Sequence, residues 1–296
     1  MSADIRYCGR FAPSPTGLLH AGSLTTALGS YLEAKCHGGL WRVRMEDLDP
    51  LREQPGAADQ ILRLLEHLGF EWDGAVVYQS QRHALYRAAL EQLIQQGLAY
   101  RCTCTRKQIQ AFSRRGLDGM VYPGRCRNGC QNTRSACAWR LRVNDQAIGF
   151  VDSLQGPIEQ NLARDIGDFV LLRADGFWAY QLAVVVDDAE QGINHVVRGA
   201  DLLVSTPRQI WLQQQLGLNT PQYCHLPLLV NQAGEKLSKQ TLAPAIDAAF
   251  ALEALQLALQ RLGHFPPEPL DSLSEFWSWA IKNWSLKRVP QAPVVV

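Results

Sequence analysis

The stretch from Arg10 to Ser23, RFAPSPTGLLHAGS, limits what this chain can fold into more than any other. Just before it, residues 5–8 form a short apolar run that suits a buried strand. Pro13 and Pro15 cannot continue a hydrogen-bonded ladder, so the strand must stop there. Gly17 permits backbone angles that other residues avoid. Across residues 24–34 the apolar positions recur at helical spacing. His20 to Ser23 therefore falls at a helix N-terminus, where free backbone N–H groups and the helix dipole favour an anion. Gly22 has no side chain and lets a flat ring or a phosphate approach the backbone. His20 and Ser23 can donate to phosphate oxygens.

Residues 40–45 read as a second strand, with Trp41, Val43 and Met45 alternating against Arg42 and Arg44. It runs into an acidic turn, Glu46-Asp47-Leu48-Asp49-Pro50. In a parallel sheet such a turn lies at the carboxyl end of a strand, where ligands collect. Residues 57–68 and 82–96 read as amphipathic packing helices. Residues 139–143, 150–154 and 168–173 read as strands. Residues 183–186 read as an apolar helix ended by Asp187-Asp188, and residues 195–198 as another strand. A helix with Pro207 early in it follows, then a last strand over 226–230. Lys236 and Lys239, on a loop after that strand, can swing onto a triphosphate as point charges. Residues 245–262 read as a long helix. Trp277, Trp279 and Trp284 are expected beneath the lysine loop, and residues 289–296 as a frayed tail.

Hydrophobic residues make up 47% of the 296, enough for a globular chain of about two domains. No apolar run approaches the ~20 residues of a membrane helix. No basic region followed by an apolar stretch suggests a signal peptide. In a chain expected to be cytoplasmic, eight cysteines point to metal ligation or buried thiols before disulfides. Net charge is +1, yet residues 101–142 hold ten arginines and lysines against one acid, Asp118. A basic block in an otherwise acidic chain is a footprint for nucleic acid. The same block carries Cys102-x-Cys104, then Tyr122 and Cys126, then Cys130 and Cys137. Zinc takes four N, S or O ligands in a tetrahedron, and spacing alone selects Cys102, Cys104, Cys126 and Cys130.

The strand, Pro/Gly turn and His-x-Gly helix start resemble the HIGH signature of class I aminoacyl-tRNA synthetases. The preceding RFAPSPTG narrows the resemblance to the glutamyl branch. Ser23 stands where HIGH has its second histidine. Lys236-Leu237-Ser238-Lys239-Gln240 resembles the second signature, KMSKS, departing from it at Leu237 and Gln240. The turn at 46–50 resembles one that faces the amino-acid pocket. The run from Tyr180 through Arg198 to Leu203 resembles the second half of the nucleotide-binding fold. YRCTCTR followed by YPGRCR is similar to the zinc region of the glutamyl-queuosine tRNA(Asp) synthetase family, truncated relatives of the glutamyl enzymes. About 55 residues follow Gln240, too few for the large anticodon-binding region of ordinary glutamyl enzymes.

The resemblance covers almost the whole chain. It implies a doubly wound, Rossmann-like α/β domain: residues 1–100 as its first half, 101–142 as a zinc-binding basic insertion, 143–240 as its second half and 241–296 as a short helical region. It implies that Arg10, Phe11, Ala12, Pro13, Ser14, Glu46, Tyr180 and Arg198 hold glutamate. ATP would lie on His20, Gly22, Ser23 and Lys239, with His20, Ser23, Lys236 and Lys239 offsetting charge during catalysis. One structural zinc would sit on Cys102, Cys104, Tyr122 and Cys126, with Cys130 a competitor to Tyr122, and Mg²⁺ would accompany ATP. The implied reaction is tRNA-independent activation of glutamate to glutamyl-adenylate, then transfer to queuosine in the anticodon arm of tRNA(Asp). The implied enzyme is a cytoplasmic monomer with no membrane contact. Two other readings stand beside it. A shortened ordinary glutamyl-tRNA synthetase would label the 3′ end of the tRNA, and a non-catalytic tRNA-binding module would lack ATP–pyrophosphate exchange.

Overall fold

In a computed structural model, residues 6–130, 136–237 and 244–296 are described. Strand β1 (Cys8–Phe11), helix α1 (Ala21–Cys36), β2 (Leu40–Met45), α2 (Ala57–His67) and β3 (Val77–Tyr78) form the first parallel unit. In it β1 pairs with β2, placing Arg10 opposite Arg42, and β2 pairs with β3. Helix α3 (His83–Gln95) leads to β4 (Ala99–Cys102), and α4 (Arg106–Phe112), β5 (Arg115–Gly116) and β6 (Gly119–Met120) follow. The chain then passes through β7 (Ala138–Leu141), the hairpin β8 (Ala147–Asp152) and β9 (Gly156–Asn161), α5 (Leu162–Asp165) and β10 (Phe169–Leu172). Strand β7 lies antiparallel between β4 and β10. Helix α6 (Tyr180–Glu190), β11 (His195–Gly199), α7 (Thr206–Leu216) and β12 (Gln222–Leu226) make the second parallel unit. The two units meet where β11 runs beside β1, with the Asn194 N–H bonded to the Cys8 carbonyl at 3.1 Å. Short β13 (Leu229–Val230), α8 (Ala251–Arg261), α9 (Leu273–Asn283) and β14 (Val294–Val295) complete the order. The result is the parallel α/β architecture that the opening stretch demands.

Side chains alternate across these strands, and each face has its own apolar core. Tyr7, Phe11, Trp41, Val43, Met45, Val197, Cys224 and Leu226 pack with α1, α8 and α9. Cys8, Val196 and Tyr223 face a second core with α3, α6 and α7. A parallel sheet covered on both faces leaves no solvent side. That is why Arg44, which alternation alone would expose, has no accessible surface.

Several elements differ from their sequence expectation. The first strand is Cys8–Phe11, because β2 supplies partners as far as Val43, whereas Ile5 lies outside the described residues. Asp187 and Asp188 do not end α6; they are buried inside it, paired with arginines. The strand expected at 226–230 is two, β12 and β13, and the hairpin strand β9 was not legible. The long helix is only Ala251–Arg261, entered through a 3-10 turn at Ala248–Phe250. Trp277 stacks edge-on against Tyr31 and Phe70, and Trp284 donates to Glu33, so these indoles pack on α1. The expected frayed tail instead adds β14 to β13, with Leu229 opposite Val294.

Candidate active site

The turn after β1 is held by backbone bonds from Glu46 N–H to the Pro13 carbonyl and from Gln54 N–H to the Pro15 carbonyl, both 3.0 Å. Gly17 sits at φ 137, a conformation other residues avoid. His20 is the N-cap of α1: its Nδ1 accepts from the Gly22 N–H (3.1 Å) and the Ser23 N–H (3.3 Å). An accepting Nδ1 puts the proton on Nε2, which lies 3.1 Å from Ser23 Oγ. The helix N–H groups expected to be open to an anion are therefore engaged by the histidine itself. A Cβ on Gly22 would fall 3.1 Å from the His20 ring, so the glycine makes room for this cap.

A buried charge network stands behind Arg10. Its Nε reaches Asp188 Oδ1 at 3.2 Å, and Arg44 Nη1 reaches the same oxygen at 2.8 Å. Arg44 Nη2 also contacts Glu46 Oε1 at 3.3 Å. Burial raises the Asp188 carboxyl, but the Arg10 and Arg44 guanidiniums outweigh it and hold it below its ordinary value. For Glu46 burial wins over Arg44 and Arg10, and its carboxyl is pushed up. One arginine–acid cluster thus contains a carboxylate held charged and another that gains from a cationic partner.

Across the cavity, Arg198 Nη1 lies 3.5 Å from the Tyr180 hydroxyl, Nε donates to His225 Nε2 at 3.0 Å and Nη2 donates to Thr206 Oγ1 at 2.8 Å. Arg198 does not pair with Asp201, which instead meets Lys236 Nζ at 2.5 Å. The cavity between these groups is about 820 Å³. It is lined by Arg10, Phe11, Ala12, Pro13, Ser14, Glu46, Tyr180 and Arg198, and also by His20, Gly22, Ser23 and Lys236. Ser238, Lys239 and Gln240 lie outside the described residues. Sequence reasoning missed Arg44, Asp152, Asp188, Thr206 and His225. Two acids directly after the apolar run Leu182–Val186 were the available signal, because charges that continue a buried helix face need partners.

The cysteine block forms its own small cluster with Tyr100 and Tyr122. The sulfurs of Cys102, Cys104 and Cys126 lie within 4.8 Å of one another, a group able to hold a metal such as zinc. Tyr122 Oη is 3.3 Å from Cys102 Sγ and 3.5 Å from Cys104 Sγ, and Cys104 Sγ is 3.6 Å from Cys126 Sγ. Burial raises the Cys126 thiol, but hydrogen bonding from Tyr122, the Thr103 backbone and the neighbouring thiols brings it down to about 7. Cys130 turns its thiol to the Arg101 carbonyl at 2.8 Å.

Residues 8–262 match the model of the tRNA synthetases class I (E and Q) catalytic domain. Two solved structures, a glutamate-tRNA synthetase from Elizabethkingia anophelis and a glutamate tRNA ligase from Elizabethkingia meningosepticum, superpose with TM-scores of 0.81. They are 26% and 28% identical and align over 98% of this chain and 68% and 67% of theirs. A glutamyl-Q tRNA(Asp) synthetase from Chromobacterium violaceum is 68% identical over 97% of both chains. Another, from Neisseria meningitidis serogroup C, is 59% identical over 97% of this chain and 99% of its own. The chain belongs to the glutamyl-Q tRNA(Asp) synthetase family of class I ligases. Among the described residues, no helix is long and apolar enough to cross a membrane.

Proposed function

We propose that this chain activates L-glutamate with ATP, without tRNA, and transfers it to queuosine in the anticodon arm of tRNA(Asp). The observation that carries this reading is a single cavity shared by two arginines, a buried carboxyl and the His20 helix start. Arg10 and Arg198 offer guanidiniums to the carboxylates of glutamate, which a planar fork can grip bidentately. Glu46, its carboxyl pushed up by burial, gains by meeting the ammonium. Tyr180 and Ser14 add hydroxyls, and the backbone from Phe11 to Pro13 forms the wall. ATP lies over His20, Gly22 and Ser23.

An oxygen of the glutamate α-carboxylate attacks the α-phosphorus, the bond to pyrophosphate breaks, and glutamyl-adenylate forms. His20 Nε2–H, Ser23, Lys236 and Lys239 offset the charge that grows on phosphate oxygens. Mg²⁺ with ATP supplies further neutralisation. A hydroxyl of the queuosine cyclopentenediol then attacks the acyl carbon and AMP leaves with the proton. The basic block at 101–142 tracks RNA phosphates. Cys102, Cys104, Tyr122 and Cys126 hold one structural zinc, and the thiol-rich block suits a reducing compartment, the cytoplasm.

The test uses labelled glutamate, ATP and tRNA(Asp), with and without its terminal adenosine and with and without queuosine. Label that requires queuosine supports the proposal. Label that appears only when the 3′ end is intact assigns the ordinary glutamyl-tRNA reaction. Absence of glutamate-dependent ATP–pyrophosphate exchange assigns a binding module.

A further inference from the structure

We infer that His225 is a positioning residue for glutamate: held in one tautomer by Asp152, its imidazole fixes the plane of the Arg198 guanidinium. The inference rests on the proposal that Arg198 holds the amino acid. His225 is the register partner of Arg198 across β11 and β12, so both side chains stand on one face of the sheet. His225 and Asp152 are buried and do not line the cavity, whereas Arg198 does.

The hydrogen bonds settle the direction of each proton. Asp152 Oδ1 accepts from the N–H groups of Leu154 (3.0 Å), Gln155 (2.8 Å) and His225 (3.1 Å). Asp152 Oδ2 lies 2.6 Å from His225 Nδ1. A carboxylate accepting four such bonds cannot turn, and it assigns the imidazole proton to Nδ1. Nε2 is then bare and accepts the Arg198 Nε–H at 3.0 Å. Thr206 Oγ1 takes the Nη2–H at 2.8 Å. With Nε and Nη2 anchored, the guanidinium plane is fixed and Nη1 is left beside Tyr180 in the cavity. An arginine fixed before substrate arrives loses its rotamer freedom at folding, not at binding, and meets the carboxylate in a productive orientation.

Two variants of similar size separate this role from simple packing. His225→Gln can present its amide oxygen where Nε2 stands, and so keeps an acceptor for Arg198. His225→Asn can present its amide nitrogen where Nδ1 stands, keeping the donor to Asp152 but losing that acceptor. In glutamate-dependent ATP–pyrophosphate exchange with the full-length chain, His225→Asn raises the KM for glutamate roughly 10–100-fold, the usual scale for a misplaced binding group. The KM for ATP stays unchanged. His225→Gln stays close to the parent. Asp152→Asn, which reverses the tautomer and turns an N–H toward Arg198, reproduces the Asn effect and serves if His225→Asn does not fold. Nitrogen NMR of the parent finds His225 Nε2 without a proton.

Equal glutamate KM values for His225→Asn and His225→Gln overturn the inference, as does a proton on Nε2. Arg198→Lys is the control for the underlying reading. If it leaves the glutamate KM unchanged, Arg198 is not a ligand and the site assignment itself falls. If it raises KM while His225→Asn and Asp152→Asn do not, only the positioning role falls.

Discussion

A single carboxylate oxygen, Asp188 Oδ1, receives both Arg10 Nε at 3.2 Å and Arg44 Nη1 at 2.8 Å. Two buried guanidiniums therefore share one acid, and Arg44 has Glu46 and Asp187 besides. Removing one partner of a buried ion cluster strands the remaining charge, at a cost of about 3–5 kcal/mol. Asp188→Asn is expected to lower stability by that order in urea denaturation and to weaken glutamate binding by releasing Arg10. Unchanged stability together with an unchanged KM for glutamate contradicts the linkage.

The cap that His20 forms and the catalytic role proposed for it can be separated. As N-cap its Nδ1 satisfies two helix N–H groups, a contribution of about 1 kcal/mol. In the proposed catalytic role it would donate through Nε2. His20→Ala should lose both, while His20→Asn, which keeps a capping oxygen, should keep stability and lose activity. Both variants, and Lys239→Ala, are expected to slow adenylate formation by roughly 10²–10³, measured by pyrophosphate exchange. An Asn variant with full exchange activity rules out the catalytic role.

Arginines facing a side-chain carboxylate are left unpaired when a neutral amide replaces it. Glutamine should accordingly be activated far more slowly than glutamate. Equal exchange rates with the two amino acids reject Arg10 as a side-chain ligand.

Zinc analysis should find one ion per chain. Cys102→Ser should release it and loosen the block around Tyr100 and Tyr122, since a structural metal supplies folding energy. Tyr122→Phe should weaken zinc binding, whereas Cys130→Ser should not. The reverse result restores the four-cysteine set.

Stability should fall in two stages as pH drops. Burial, together with the Arg198 and Arg10 guanidiniums, holds His225 below its ordinary value despite its bond to Asp152. The unfolded chain therefore takes up a proton near the ordinary histidine value of about 6.5 before the folded one does, and stability declines below that pH. Asp152 and Asp188 are held below their ordinary values, against burial, by His225 and backbone N–H groups in one case and by the two arginines in the other. Their contribution is full above about pH 4 and is lost as pH falls through the folded-state values. Thermal midpoints between pH 8 and pH 3 check both stages, and a His225→Gln variant should show a smaller first stage, the remainder coming from His195 and His264, which burial also holds below their ordinary value.

Much of this was legible because it is local. Pro13, Gly17 and the 3.6-residue spacing after His20 specify a strand, turn and helix within one segment. That Arg10 to Ser14 belong to the site came from the resemblance and not from this local pattern; they do line the cavity. Arg44, Asp188 and His225 were not legible, since each owes its role to a partner far away in sequence. Asp188 looked like a helix stop because acids commonly end apolar runs; only its partner arginines in β1 and β2 make it an interior residue. Likewise, nothing local distinguishes the last strand at Val294–Val295 from a loose end. Its partner, β13, lies far back in the chain.

The two-faced sheet has a consequence for which length changes the molecule tolerates. Arg10, Arg44, Arg198 and His225 fall on the same face as Cys8, Val196 and Tyr223, while their immediate neighbours Phe11, Val43, Val197 and Cys224 fill the opposite core. Chemistry and packing are thus written in one reading phase. Inserting or deleting a single residue inside any of these four strands would send its arginine or histidine into the opposite apolar core and aliphatic groups toward the cavity side. A change of two residues preserves the phase, and the loops between the strands are free of it. A mutant lineage cannot slip this face out of place while keeping the fold, so an intact, folded sheet of this kind keeps Arg10 and Arg198 at the cavity.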